Sequence, residues 1–156
     1  MQLMKRISKL YIICLGAVLM LAASCTHNDG NIGKQFGLWK LTELKGVDNN
    51  GHETTYPDDS RDVSWAFQNT TVEMMRVDRY HNETRTYGNY RLEDNTLFLN
   101  FPDADMAPLS GMRLPAQCEL AVIRLTGSEM ILSYSPSPAP SDPSEPATYY
   151  YYFKKL

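Results

Sequence analysis

The sequence is short of most of what chemistry at a site requires. Its 156 residues include three histidines and three cysteines. His27, His52 and His81 stand far apart in polar stretches, and none forms a zinc spacing. No metal site is expected. Asp48-Asn49-Asn50-Gly51 and Asp58-Asp59-Ser60-Arg61-Asp62 are acidic, yet neither has the alternating calcium-loop spacing with its distant glutamate. Turn formation accounts for the first, and a solvated acidic loop for the second. There is no Gly-x-Ser-x-Gly elbow and no glycine loop that would cradle a phosphate. The carboxylate pairs Asp103/Asp105 and Glu93/Asp94 sit among turn formers. No enzymatic activity and no cofactor are expected. Basic charge is scarce too: 15 basic against 18 acidic residues give a formal −3, so a nucleic-acid partner is not expected.

A long hydrophobic run is also missing. Leu10 to Ala23 carries no charge, but its 14 residues fall short of the roughly 20 that a spanning helix needs. Lys5, Arg6 and Lys9 precede this run, and Ala22, Ala23, Ser24 and Cys25 follow it. That order is an export pattern. Leu21-Ala22-Ala23-Ser24-Cys25 resembles the lipobox of bacterial lipoproteins, with Ala22 where leucine is usual. The resemblance implies that 1–24 is a signal peptide and that Cys25 is lipidated. The chain is then an exported outer membrane lipoprotein whose partner is the lipid bilayer. Whether it faces the periplasm or the cell surface stays open. Several acyl chains on one cysteine exceed the two signals that stable anchoring takes. Residues 25–35 form the lipidated cysteine and a polar tether.

Setting the leader aside changes two counts. The 15 basic residues lose three and become 12, against 18 acidic ones, a formal −6 for the remaining chain. Anionic headgroups and nucleic acid become poorer partners still. Cys14 leaves with the leader and Cys25 carries lipid, so Cys118 has no partner for a disulfide. Beside Leu120 and Val122, it reads as a packed core thiol.

Helical periodicity is the last absence. No segment keeps a 3.6-residue apolar repeat over the ~10–12 residues a helix needs. What is present is alternation. Trp39 and Leu41 share one face of a strand over 36–43. Val63, Trp65 and Phe67 alternate with Ser64, Ala66 and Gln68 in a second strand. Further strands are predicted over 71–77, 84–92, 96–101, 118–125, 130–134 and 148–153. A short helix has room only in the long loops.

The connections alternate as well. Asn69-Thr70, Glu93-Asp94-Asn95 and Gly127-Ser128 are hairpin-length. The stretches 44–62, 102–117 and 135–147 are long and rich in proline, glycine or aspartate, and 78–83 is intermediate. In an up-and-down meander, successive connections lie at opposite ends. All tight turns therefore gather at a closed base, and all long loops at a decorated mouth. That is the plan of an all-β, eight-stranded antiparallel up-and-down barrel, whose interior is either filled or holds one small ligand.

Gly37-Leu38-Trp39 opens the first strand as the Gly-x-Trp motif opens lipocalins. The domain 36–156 resembles the lipocalin-like domains of small lipoproteins from Gram-negative bacteria. The resemblance implies a barrel that binds small apolar or amphipathic molecules. It places Gly37 and Trp39 at the barrel base, with a basic residue from near the last strand over the tryptophan; Arg124, Lys154 and Lys155 are candidates. The missing disulfide and the long 102–117 loop depart from typical lipocalins.

Ligand-binding candidates follow from this geometry. Tyr56, Arg61, Tyr80, Met106, Met112 and Tyr134 are expected at the mouth. Trp65 and Phe67 are expected to face inward, as are Tyr149 and Tyr151 from the run Tyr149-Tyr150-Tyr151-Tyr152-Phe153. One of Met74 and Met75 must face inside; if it is Met74, Arg76 faces in as well, and a different strand register is the alternative. Tyr150, Tyr152 and Phe98 are expected on the outer wall. The tether has a flexible reach of about 17 Å and joins at the base, so the mouth faces away from the membrane. The leading reading is a tethered module binding a small amphipathic ligand. The alternative is a filled barrel that contacts an envelope protein. Interior volume separates the two.

Overall fold

The alternating segments form nine strands in the computed structural model, which describes residues 33–56, 62–102, 109 and 111–156. They are β1 (Gly37–Val47), β2 (Glu53–Thr55), β3 (Asp62–Gln68), β4 (Thr71–Val77) and β5 (Glu83–Glu93), then β6 (Thr96–Asn100), β7 (Gln117–Leu125), β8 (Glu129–Tyr134) and β9 (Thr148–Lys155). Neighbours pair antiparallel in the order β2-β1-β3-β4-β5-β6-β7-β8-β9, and β1 also pairs with β9. The eight long strands thus close into the expected up-and-down barrel. The expected signal peptide, lipidated Cys25 and most of the tether lie outside the described residues.

Two differences from the expected strands stand out, and the first has a plain physical cause. β1 runs to Val47 rather than stopping at 43, and its pairing with β9 shifts between Leu41 and Glu43. A bulge inserts one residue and moves the inward set from odd to even positions. Trp39 and Leu41 are buried before it, Leu44 and Gly46 after it. The second difference is β2, three exposed residues that add to the far end of β1 where β3 has ended. It lies in the expected first long loop.

The hairpin ends and the mouth are as loop parity requires. The β3–β4, β5–β6 and β7–β8 connections are tight, and Asn69 and Asp94 take the left-handed backbone that such turns use. At the mouth, Asp48 and Asp78 build matching loops. Asp48 Oδ1 accepts the N–H groups of Asn50 and His52 at 2.8 and 2.9 Å, and Asp78 Oδ1 those of Tyr80 and Asn82 at 2.8 and 2.9 Å. The expected turn role of Asp48-Asn49-Asn50-Gly51 is thereby visible in bonds. The 57–61 part of the other acidic loop lies outside the described residues.

Among the described residues, the interior is lined with closely packed, buried side chains. Trp39, Trp65, Phe67, Val72, Leu120, Leu132 and Tyr151 have no exposed surface. Trp65 meets the rings of Phe153 and Phe67 at 4.9 and 6.0 Å, and Phe67 meets Tyr90 edge-on at 4.9 Å. Such pairs add to burial because ring edges and faces carry opposite partial charge. Cys118 packs at the edge of this core, and burial pushes its thiol pKa up to about 12.

Candidate functional site

The base is built around Trp39. Its Nε1–H donates to the Gln35 carbonyl at 2.6 Å, and Lys155 Nζ lies 5.3 Å from its ring centroid. Lys155 is therefore the basic residue over the tryptophan. Arg124 instead pairs with Glu129 at 3.2 Å. Gly37 has φ +117°, and a Cβ there would stand 2.9 Å from Lys155 Cε. The glycine supplies both the backbone turn and the passage for the lysine stem.

The mouth is stoppered from inside by residues 109 and 111–114 of the β6–β7 connection. Leu109, Met112 and Leu114 are buried, and the N–H groups of Met112 and Leu114 both donate to the Leu109 carbonyl at 3.0 Å. Tyr151 donates its hydroxyl to the Met112 carbonyl at 2.8 Å. That bond ties the stopper to the last strand. Burial raises the Tyr151 pKa well above the ordinary phenol value.

Above the stopper, the chain turns one cation outward. Arg113 adopts a left-handed backbone with φ 56°, uncommon outside glycine. Its neighbours Met112 and Leu114 point in, while Arg113 is exposed. The guanidinium lies 4.3 Å from the Tyr56 ring centroid and 5.8 Å from that of Tyr149, and the two rings are 6.2 Å apart. Burial raises the Tyr56 pKa, and the adjacent Arg113 partly offsets this. Among the described residues no carboxylate pairs with Arg113. A guanidinium with one face on aromatic rings keeps its N–H edges for an anionic group, which it can grip with two parallel bonds.

The predicted site residues divide accordingly. Tyr56 and Tyr149 meet at the mouth. Tyr134 is half-buried nearby, at the end of β8, and burial raises its pKa. Tyr80 stands apart: it is 69% exposed and stacks only on its neighbour Arg79 at 4.8 Å. Met112 is a correction, since it is buried in the stopper rather than placed on the rim. Trp65, Phe67, Met74 and Tyr151 face inward and are buried among the core side chains. Arg76 faces inward at the mouth end of β4, its Nη1 3.0 Å from the Cβ position of Gly111. Arg61 and Met106, like Cys25, lie outside the described residues. Tyr150 and Tyr152 are half-buried on the outer wall, as is Phe98, with Arg91 4.2 Å from its ring.

Sequence reasoning missed Arg113. The available signal was its isolation: it is the only basic residue between 102 and 117, and it sits between two apolar residues. Among the described residues, no three His, Cys, Asp or Glu side chains group as metal ligands.

Comparison with known proteins places the fold. The model of a family described as a lipocalin-like domain matches residues 19–137. A solved lipocalin-like protein from Bacteroides uniformis superposes with a TM-score of 0.60 at 20% identity, covering 80% of this chain and 100% of its own. An uncharacterized protein from Bacteroides eggerthii superposes with a TM-score of 0.53 at 17% identity, covering 78% and 99%. A search of curated proteins found no match.

Proposed function

Because the chain belongs to the lipocalin-like domain family, we propose that it is a membrane-tethered binding module. It holds a small amphipathic molecule with an anionic end at the barrel mouth. The observation that carries this reading is the Arg113 guanidinium stacked on Tyr56 and Tyr149 above a stoppered core. The rings offer apolar surface and Arg113 offers a charged anchor. The buried inward side chains count against a ligand deep in the barrel and favour the rim as the place where one is held. Bonds to a charged group contribute about 1.5–3 kcal/mol each.

A fluorescent long-chain carboxylic acid and its methyl ester test this. The acid should bind the full chain, and Arg113→Gln should weaken it by about tenfold or more. The ester should bind weakly and ignore the substitution. Equal binding of acid and ester to both proteins would exclude Arg113 as the anchor. The tether is part of the same proposal. Acylated Cys25 holds the module at the outer membrane, and Cys25→Ser should release the protein into the soluble fraction. Retention of that variant in membranes would overturn the anchor.

A further inference from the structure

The barrel wall has an incomplete seam. β7 pairs with β6 over its whole mouth-side half, from Thr96↔Ala121 to Asn100↔Gln117. On its other side, β7 pairs with β8 only from Leu125 as far as Ala121↔Ser133. Among the described residues, 117–120 therefore have a strand on one flank only. Beyond Tyr134 the chain reads Ser135-Pro136-Ser137-Pro138, and proline has no N–H to continue a ladder. Ser135 is drawn toward β9 instead, its hydroxyl 2.9 Å from that of Thr148.

Hydrogen-bond phase says which backbone groups are left over. Val122 N–H donates to Asn95 O, and Phe101 N–H donates to Ala116 O. Residues 116, 118, 120 and 122 therefore turn their backbone groups toward β6. Gln117 and Glu119 turn theirs the other way, into the seam. No described backbone group meets them there. The two sets of groups are roughly 7 Å apart, the two-residue repeat of a strand. An open cleft of about 630 Å³ lies against this edge, lined by Pro115, Gln117, Cys118, Glu119, Tyr134 and Ser135 among others.

We propose that this seam is a strand-addition site for an extended polypeptide segment. The segment pairs its backbone with Gln117 and Glu119. One of its side chains rests on Tyr134, and a basic one meets Glu119, the only charged residue among the described ones that line the cleft. Backbone groups left unpaired on a strand edge are a template for another chain, because each recovers a bond on pairing. The cleft opens on the barrel wall, so this site does not rest on the Arg113 reading.

Amide hydrogen exchange read by NMR on the full chain in mild detergent tests the proposal, with the peptide Ac-Thr-Val-Lys-Val-Thr-Val-NH2 as probe. In the free protein, Gln117 and Glu119 should exchange at least about tenfold faster than Cys118 and Leu120. Millimolar peptide should slow the first pair by about tenfold or more. The same peptide N-methylated at alternate residues should have no effect. Glu119→Pro removes one seam-facing N–H and should abolish the protection of Gln117 while leaving the amides bonded to β6 slow. Equal protection across 117–120 in the free protein would overturn the proposal. So would peptide that leaves these amides unchanged, an N-methylated peptide that protects them equally, or peptide effects confined to Arg113 and Tyr56.

Discussion

At the scale of single residues, two left-handed backbone positions do opposite things for the molecule. Arg113 spends conformational strain to turn a cation out of an apolar stopper. Gly37 avoids strain, because glycine has no Cβ to clash at φ +117°. The same position lets the Lys155 stem pass to the Trp39 ring, where the ammonium gains from the ring's negative face. Gly37→Ala would therefore lose on two counts, backbone strain and displacement of the lysine. The expected loss is about 1–3 kcal/mol, read as a lower urea midpoint with an altered tryptophan emission. A loss below about 0.5 kcal/mol would show that the start of β1 relaxes without cost.

At the scale of elements, what was legible followed from period and spacing. β4 runs over 71–77, as its alternation indicates, and loop lengths alone put the tight hairpins at one end. A bulge is not legible in this way, because one inserted residue leaves no mark except a change of phase. That is why the expected first strand ended at 43, where the inward set passes from Trp39 and Leu41 to Leu44 and Gly46. The site was legible in the same proportion. Tyr56 could be assigned to the mouth because it lies in a long loop, and Tyr149 to the interior because it alternates with Tyr150 along a strand. Met112 and Arg113 belong to a connection with no period, whose inward fold is set by contacts with Tyr151 far along the chain. The twin loops at Asp48 and Asp78 illustrate what local sequence does specify. Each carboxylate is held below its ordinary pKa, Asp48 chiefly by the His52 N–H and Asp78 chiefly by the Asn82 side chain. These acids stabilise their turns.

At the scale of the whole molecule, the question raised by an eight-stranded barrel is whether its inside is a pocket or a core. Here the closing strand supplies Tyr149, Tyr151 and Phe153, β3 supplies Trp65 and Phe67, and the β6–β7 connection folds in from above. These side chains, with Leu109, Met112 and Leu114 from that connection, are buried, so packing holds the barrel together. Trp65 sits at the centre of this arrangement, fully buried and against Phe153 at 4.9 Å. Trp65→Ala should cost about 3–5 kcal/mol, since it combines lost transfer energy with an unfilled hollow. An apolar hollow of that kind stays dry and takes small apolar guests. The variant should therefore gain stability from xenon or benzene, whereas the native protein should gain none, and a larger denaturant midpoint in the presence of the guest is the measure. Trp65→Leu keeps most of the contacts and serves if the alanine variant does not fold. If the native protein were itself stabilised by the apolar guest, the barrel would hold a cavity, and the ligand site would belong inside it rather than at the rim with Arg113.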